Sequence, residues 1–125
     1  MSEALRIGTK LVELCNAGDS EKAVDELYSD RIVSIEGQGS DEMPARMEGI
    51  DAVRKKGEWW FANHDVHAMT ATGPFVGNRE DQFVVQFMLD VTPKATGERM
   101  KMNEVGVYTV KNGKVAQEEF LYLMA

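Results

Sequence analysis

Basic residues are scarce in this chain. Lys and Arg number 14 against 21 Asp and Glu, a formal net charge of −7. Nucleic acid is unsuited as a partner, because phosphate binding takes a basic patch and none is visible. Anionic membrane surfaces are disfavoured for the same reason. Long apolar runs are missing as well, since none approaches the ~20 residues that span a bilayer. Cysteine occurs once, at Cys15, which excludes an internal disulfide framework and fits a reducing compartment. Met1-Ser2-Glu3-Ala4-Leu5 has no basic segment leading into an apolar core, so a cytoplasmic location is expected. The two histidines, His64 and His67, straddle an expected helix-to-strand change without Cys or carboxylate spacing beside them. No metal site is read there, and no order of Ser, His and Asp or of Cys and His suggests a nucleophile. Gly37-Gln38-Gly39 lacks the third glycine of a nucleotide fingerprint. No residue pattern calls for a cofactor.

What is present is ordinary globular material. With 125 residues, 43% hydrophobic and 28% charged, the chain reads as one domain, 1–125, with a core of its own. Leu5, Leu11, Val12, Leu14 and Cys15 space a helix over roughly Glu3–Asn16, ended by Gly18. Asp19 or Ser20 caps a second helix through about Tyr28, with Ala23, Val24 and Leu27 inward. Cys15 lies on the apolar stripe and reads as a small core residue. Arg31–Glu36 alternates as a short strand, and an acidic, glycine-rich loop follows. Gly49 to about Asn63 forms a third helix with Ile50, Val53, Gly57, Trp60, Phe61 and His64 on one face. Trp59 falls opposite, beside Lys56 and Asn63, as a rim or subunit contact. Gly57 costs a helix up to ~1 kcal/mol, so it is expected to admit close packing by a strand or a ligand. Val66–Val76 is a strand whose Pro74 marks an edge, bulge or bend.

The last third is the frame. Phe83–Val91, Met100–Val110 and Val115–Met124 are apolar-rich runs, the last two joined through Asn112-Gly113, a strong type I′ hairpin signal. The order of elements is an α+β domain with helices packed on one face of a curved antiparallel sheet. A two-residue turn pairs Val105 with Phe120 and Asn103 with Tyr122. It puts Val105, Val107, Ala116, Glu118, Phe120 and Tyr122 on one face. Met102, Glu104, Gly106, Tyr108, Gln117, Glu119 and Leu121 take the other. The first set is more apolar and is the expected concave side, unless a single bulge shifts the register.

Several phrases carry a family resemblance: Asn16-Ala17-Gly18-Asp19, Tyr28-Ser29-Asp30, Glu48-Gly49-Ile50-Asp51-Ala52-Val53 and Gly113-Lys114-Val115. With the order of elements, they resemble the SnoaL-like branch of the nuclear-transport-factor-2-like superfamily. The resemblance implies a cone-shaped curved antiparallel sheet, with three helices of the N-terminal half closing a pocket, and a homodimer formed through the sheet. Its members include isomerases, cyclases, dehydratases and non-catalytic binders. Where ketosteroid isomerase carries its oxyanion tyrosine and catalytic aspartate, this chain has Leu11 and Ile35, with Glu36 one residue further. The resemblance also places that family's oxyanion acid near Gly106, which favours the Glu104 face.

Glu104 and Glu118 are both retained as catalytic candidates, because burial raises a carboxyl pKa and tunes it for proton transfer. The alternative is a solvated or cross-strand-paired carboxylate. His64 is the candidate assistant, or else a histidine held at a helix C-terminus by the dipole. Glu36, Trp60, Phe61, Tyr108, Phe120 and Tyr122 are the expected ligand contacts. Met69, Met88, Met100 and Met102 suit an adaptable apolar wall or ordinary core filling. The expected function is cofactor-free acid–base chemistry on a small hydrophobic carbonyl compound. The alternative is a non-catalytic ligand-binding or protein-interaction domain of the same fold.

Overall fold

The computed structural model describes residues 2–41 and 43–122. The end of the last apolar run, at Met124, and Glu42 of the acidic loop lie outside the described residues. The elements are α1 (Glu3–Asn16), α2 (Ser20–Leu27), β1 (Tyr28–Ile35), β2 (Arg46–Glu48), α3 (Ile50–Asn63), β3 (His64–Phe75), β4 (Gln82–Pro93), β5 (Met100–Lys111) and β6 (Lys114–Tyr122). Among the described residues, no helix is long and apolar enough to cross a membrane.

The α1 helix starts on the Ser2 side chain, which accepts from the Leu5 amide. It ends where Gly18 takes φ 80°. There the amide of Asp19 donates to the Leu14 carbonyl and that of Gly18 to Cys15. This is a Schellman closure, which needs a left-handed residue at that position. Asn16 then fixes the helix to the sheet. Its side chain donates to the Ala71 carbonyl at 2.9 Å and accepts from the Ala71 amide at 2.8 Å, replacing a strand partner along β3.

The strands form one six-stranded sheet in the order β2-β1-β6-β5-β4-β3. The meander lies where the sequence placed it. Asn112 and Gly113 both have positive φ, 53° and 78°, as a type I′ turn demands. Pro74 sits in the edge strand β3, inside a register shift between Thr72 and Phe75, where its missing N–H leaves no ladder bond unmade.

Three expectations need correction. The sheet is mixed rather than antiparallel, because β1 pairs parallel with β6. That pairing joins segments some ninety positions apart, beyond the reach of any local pattern. The sheet also carries β2, a three-residue edge strand paired with β1 and too short to show alternation. β1 itself begins at Tyr28 rather than Arg31.

The helices cover the concave face. Ile7 and Leu11 of α1 are buried with Phe83, which stacks on Tyr108 at 4.8 Å between ring centroids. Cys15 belongs to this buried cluster, and burial pushes its thiol up to about 11, consistent with a core residue. α2 contributes Ala23 and Leu27, and α3 contributes Val53. The remainder of the concave face stays uncovered by side chains and forms a cavity.

Candidate functional site

The cavity holds about 810 Å³, and its surroundings include Leu11, Met69, Phe87, Leu89, Met102 and Phe120. It falls in the size range of ligand pockets, which are mostly apolar with a few placed polar groups. Glu104, Glu118, His64, Glu36, Trp60, Phe61, Tyr108, Phe120 and Tyr122 all border it. Phe61 does so from an exposed position and Tyr122 from the rim. Met69 and Met102 line it, whereas Met88 and Met100 are exposed.

Both glutamates reach the cavity because of one irregularity. Val110 pairs with Val115, but Thr109 pairs with Gln117, so β6 holds an extra residue at Ala116. From there onward Tyr108 opposes Glu118, Gly106 opposes Phe120 and Glu104 opposes Tyr122. The expected faces are thereby exchanged on one strand only. Glu104 and Tyr108 share the concave side with Glu118, Phe120 and Tyr122, while Val105 and Val107 lie on the other side with Glu119 and Leu121. A bulge inverts the alternation of the strand that carries it and leaves its partner unchanged.

A continuous polar chain runs along the cavity floor. Glu118, only 4% exposed, accepts the Tyr28 hydroxyl on Oε1 and the Ser34 hydroxyl, at 3.1 Å, on Oε2. Ser34 is fully buried and accepts from Lys56 Nζ at 2.7 Å. Lys56 forms an ion pair with Glu36 Oε1, and Glu36 Oε2 accepts the Tyr122 hydroxyl. The Lys56 ammonium also lies 4.9 Å from the centroid of the Phe120 ring, a favourable cation–π position. Burial raises the Glu118 carboxyl, while Lys56 and the bonds from Tyr28 and Ser34 oppose that rise. The buried Tyr28 hydroxyl is raised by burial and then by the Glu118 charge, so it stays a donor. Burial followed by the Glu118 charge raises Tyr108 as well.

Glu104 is different. It borders the cavity but accepts no hydrogen bond and forms no ion pair with any described residue. Burial lifts its carboxyl from 4.5 to about 7; Glu36 and Glu118 add to the rise and Lys56 opposes it. A carboxyl poised there is populated in both protonation states at neutral pH, the condition for efficient proton transfer.

His64 occupies the helix-end position. It stacks on Trp60 at 4.4 Å, and Nδ1 bonds the Trp60 carbonyl at 2.8 Å. A carbonyl only accepts, so Nδ1 carries the proton and Nε2 is left as the second nitrogen. Neither glutamate is its hydrogen-bond partner. His67 bonds Thr92 Oγ1. Among the described residues no group of three or more His, Cys, Asp or Glu converges as metal ligands would.

Sequence reasoning missed Lys56, Ser34 and Tyr28. Lys56 was assigned to the outward side of α3, yet its side chain is only 18% exposed and crosses to the floor. Its four-carbon stem lets the ammonium travel well away from the backbone position that a helical wheel describes. A usable signal existed, because several carboxylates on an apolar face require a nearby cation. Lys56 sits on α3 within a turn of inward-facing Val53 and Trp60. Trp59 also borders the cavity rather than lying wholly opposite. Beyond a register shift between Tyr28 and Val33, Ser34 of β1 and Glu36 just past its end both reach the cavity floor. Leu11 borders it as an apolar wall.

A family profile for the SnoaL-like domain matches residues 3–122. A candidate SnoaL-like polyketide cyclase of Mesorhizobium loti, also described as a carbohydrate phosphatase, is 44% identical, with a TM-score of 0.87 over 94% of this chain and 97% of that one. A candidate isomerase of Bacillus subtilis is 16% identical, with a TM-score of 0.72 over 97% and 86%. A computationally designed 17-OHP binder is 19% identical, with a TM-score of 0.73 over 99% and 95%. The last two likenesses concern the fold alone. A search of curated proteins gives no match.

Proposed function

We propose that this chain, which belongs to the SnoaL-like domain family, moves a proton on a small hydrophobic carbonyl compound without a cofactor. The supporting observation is Glu104, a carboxyl without a hydrogen-bond or ion-pair partner among the described residues and poised near neutrality beside the cavity. Glu104 acts as the base, taking the proton from the carbon next to the carbonyl. It then returns that proton to another carbon, giving isomerisation, or to a departing hydroxyl, which leaves as water. In ring closure the enolate carbon attacks a second carbonyl of the substrate, and the proton goes to the alkoxide so formed. Lys56 has three N–H groups, of which Ser34 and Glu36 engage two. The third serves the developing enolate oxygen, where a fixed donor counts most once the bound substrate has displaced the solvent. Glu118 is a positioning group, because both of its oxygens are committed to Tyr28 and Ser34. His64 assists through Nε2. Trp60, Phe61, Tyr108, Phe120 and Tyr122 shape the walls. Three carboxylates facing one lysine oppose a phosphate ester and favour a neutral substrate.

The test is deuterium uptake. Hydrophobic ketones incubated with the protein in deuterium oxide are followed by NMR for exchange next to the carbonyl. Exchange rises with pH through about 7 as Glu104 ionises. Glu104→Gln lowers it by about 10² to 10⁴. Exchange that persists unchanged in Glu104→Gln refutes the assignment.

A second reading is a non-catalytic binder, supported by the 17-OHP binder of the same fold. Ligands that raise the melting temperature without exchange or turnover favour it. We also propose a homodimer through the outer sheet face, where Met88 and Leu121 are exposed. Monomeric sedimentation at micromolar concentration contradicts that assembly.

A further inference from the structure

Gly57 occupies the middle of α3, where glycine is the poorest helix former after proline. Such a residue is ordinarily explained by a neighbour packed against it. Here a Cβ built on Gly57 meets no heavy atom of a described residue within 4 Å, although Gly57 borders the cavity. Val53 and Trp60 stand one turn to either side, the first buried and the second packed against the core. Lys56, the adjacent residue, extends its ammonium to the polar floor. Alanine would be a better helix former at this position, and its methyl would meet no packed neighbour among the described residues. The close packing by a strand expected from the sequence is therefore absent, and the space is left to a ligand.

We infer that Gly57 sets the size limit of the ligand, its missing side chain being the space in which a bulky ring system lies against α3. The inference rests on the cavity being the binding site, and it deepens the substrate class to a compact alicyclic or polycyclic carbonyl compound. Its ring body covers Gly57 between Val53 and Trp60. Its carbonyl points toward Lys56 and Glu104. A slender chain has no need of that space and can lie along the opposite aromatic wall.

Calorimetric titration with adamantyl methyl ketone and with a straight-chain methyl ketone of comparable carbon count tests this. The wild-type protein binds the adamantyl ketone more tightly. Gly57→Ala weakens it severalfold and Gly57→Leu by on the order of tenfold, the usual penalty of overpacking. The straight-chain affinity changes by less than about twofold. In the same Gly57→Ala sample the melting temperature rises by roughly 3–5 °C, because a helix former replaces glycine in open space. The inference is overturned if the variants keep their affinity for the adamantyl ketone or lose both ligands equally. It is also overturned if the wild type prefers the straight chain, or if Gly57→Ala lowers the melting temperature. A wild-type protein that binds neither ketone removes the cavity reading as well, whereas binding without discrimination by the variants removes this inference alone.

Discussion

Replacing Glu104 by glutamine is expected to stabilise the fold while removing its proposed chemistry. The side chain keeps its shape and loses its charge. In the folded protein the carboxyl is raised from 4.5 to about 7, so between those values the native state holds a proton that the unfolded chain has released. The native state then binds more protons than the unfolded state, and stability falls as pH rises across this window. At about 1.4 kcal/mol for each factor of ten, the rise bounds the cost of the ionised form at about 3 kcal/mol. Glu104 keeps some contact with cavity solvent, which reduces the expected figure to roughly 1–2 kcal/mol. Urea denaturation of both proteins over the acid-to-neutral range measures it. Glu104→Gln is the more stable at pH 7, and its advantage vanishes at or below about pH 4.5. The raised Glu118 tilts the curves of both proteins in the same direction, and apart from its mutual repulsion with Glu104 its contribution cancels in their difference. A variant equal to or weaker than wild type at neutral pH, or an advantage that persists in acid, refutes the reasoning.

Lys56→Met removes the positive charge that opposes the Glu104 rise. The Glu104 carboxyl signal followed by NMR then titrates above about 7, and a downward movement contradicts the electrostatic account. Ser34→Ala takes an acceptor from Lys56 and a donor from Glu118 at a fully buried position. About 1–3 kcal/mol of stability is lost in urea, and a neutral result argues against a connected floor. Asn16→Ala deletes both bonds to the Ala71 backbone. It costs about 1–3 kcal/mol and accelerates amide exchange at Ala71; slow exchange there would show that the edge strand is held by other means.

The frame of this fold is written in short-range chemistry. Gly18 ends α1 because only a left-handed residue closes that turn, and Asn112-Gly113 sets the last hairpin for the same reason. The pairing of β1 with β6 is long-range, and neither strand shows in its own sequence that its neighbour runs parallel. The two carboxylates were legible as candidates, since each stands on an otherwise apolar strand. Their shared presence at the cavity was not, because Val115-Ala116-Gln117 contains no Gly or Pro to announce an extra residue. Lys56 was hidden by its own reach: its backbone position belongs to one side of α3 while its charge belongs to the floor. Tyr28 was hidden by position, since it stands where the second helix is expected to end and the structure makes it the first residue of β1.

The extra residue at Ala116 has a consequence for how such a chain changes over time. Upstream of it the hairpin is fixed by Asn112-Gly113, and downstream Glu118, Phe120 and Tyr122 all face one way because the ladder leaves a single residue unpaired. Pairing the strand straight through Ala116, with no extra residue left out of the ladder, would turn Gln117, Glu119 and Leu121 toward the interior in one event, with every strand still available for pairing. An entire wall of the cavity is thus inherited as a block. Diversity of chemistry in this scaffold can arise by a one-residue slip of register, without the slow exchange of side chains one at a time.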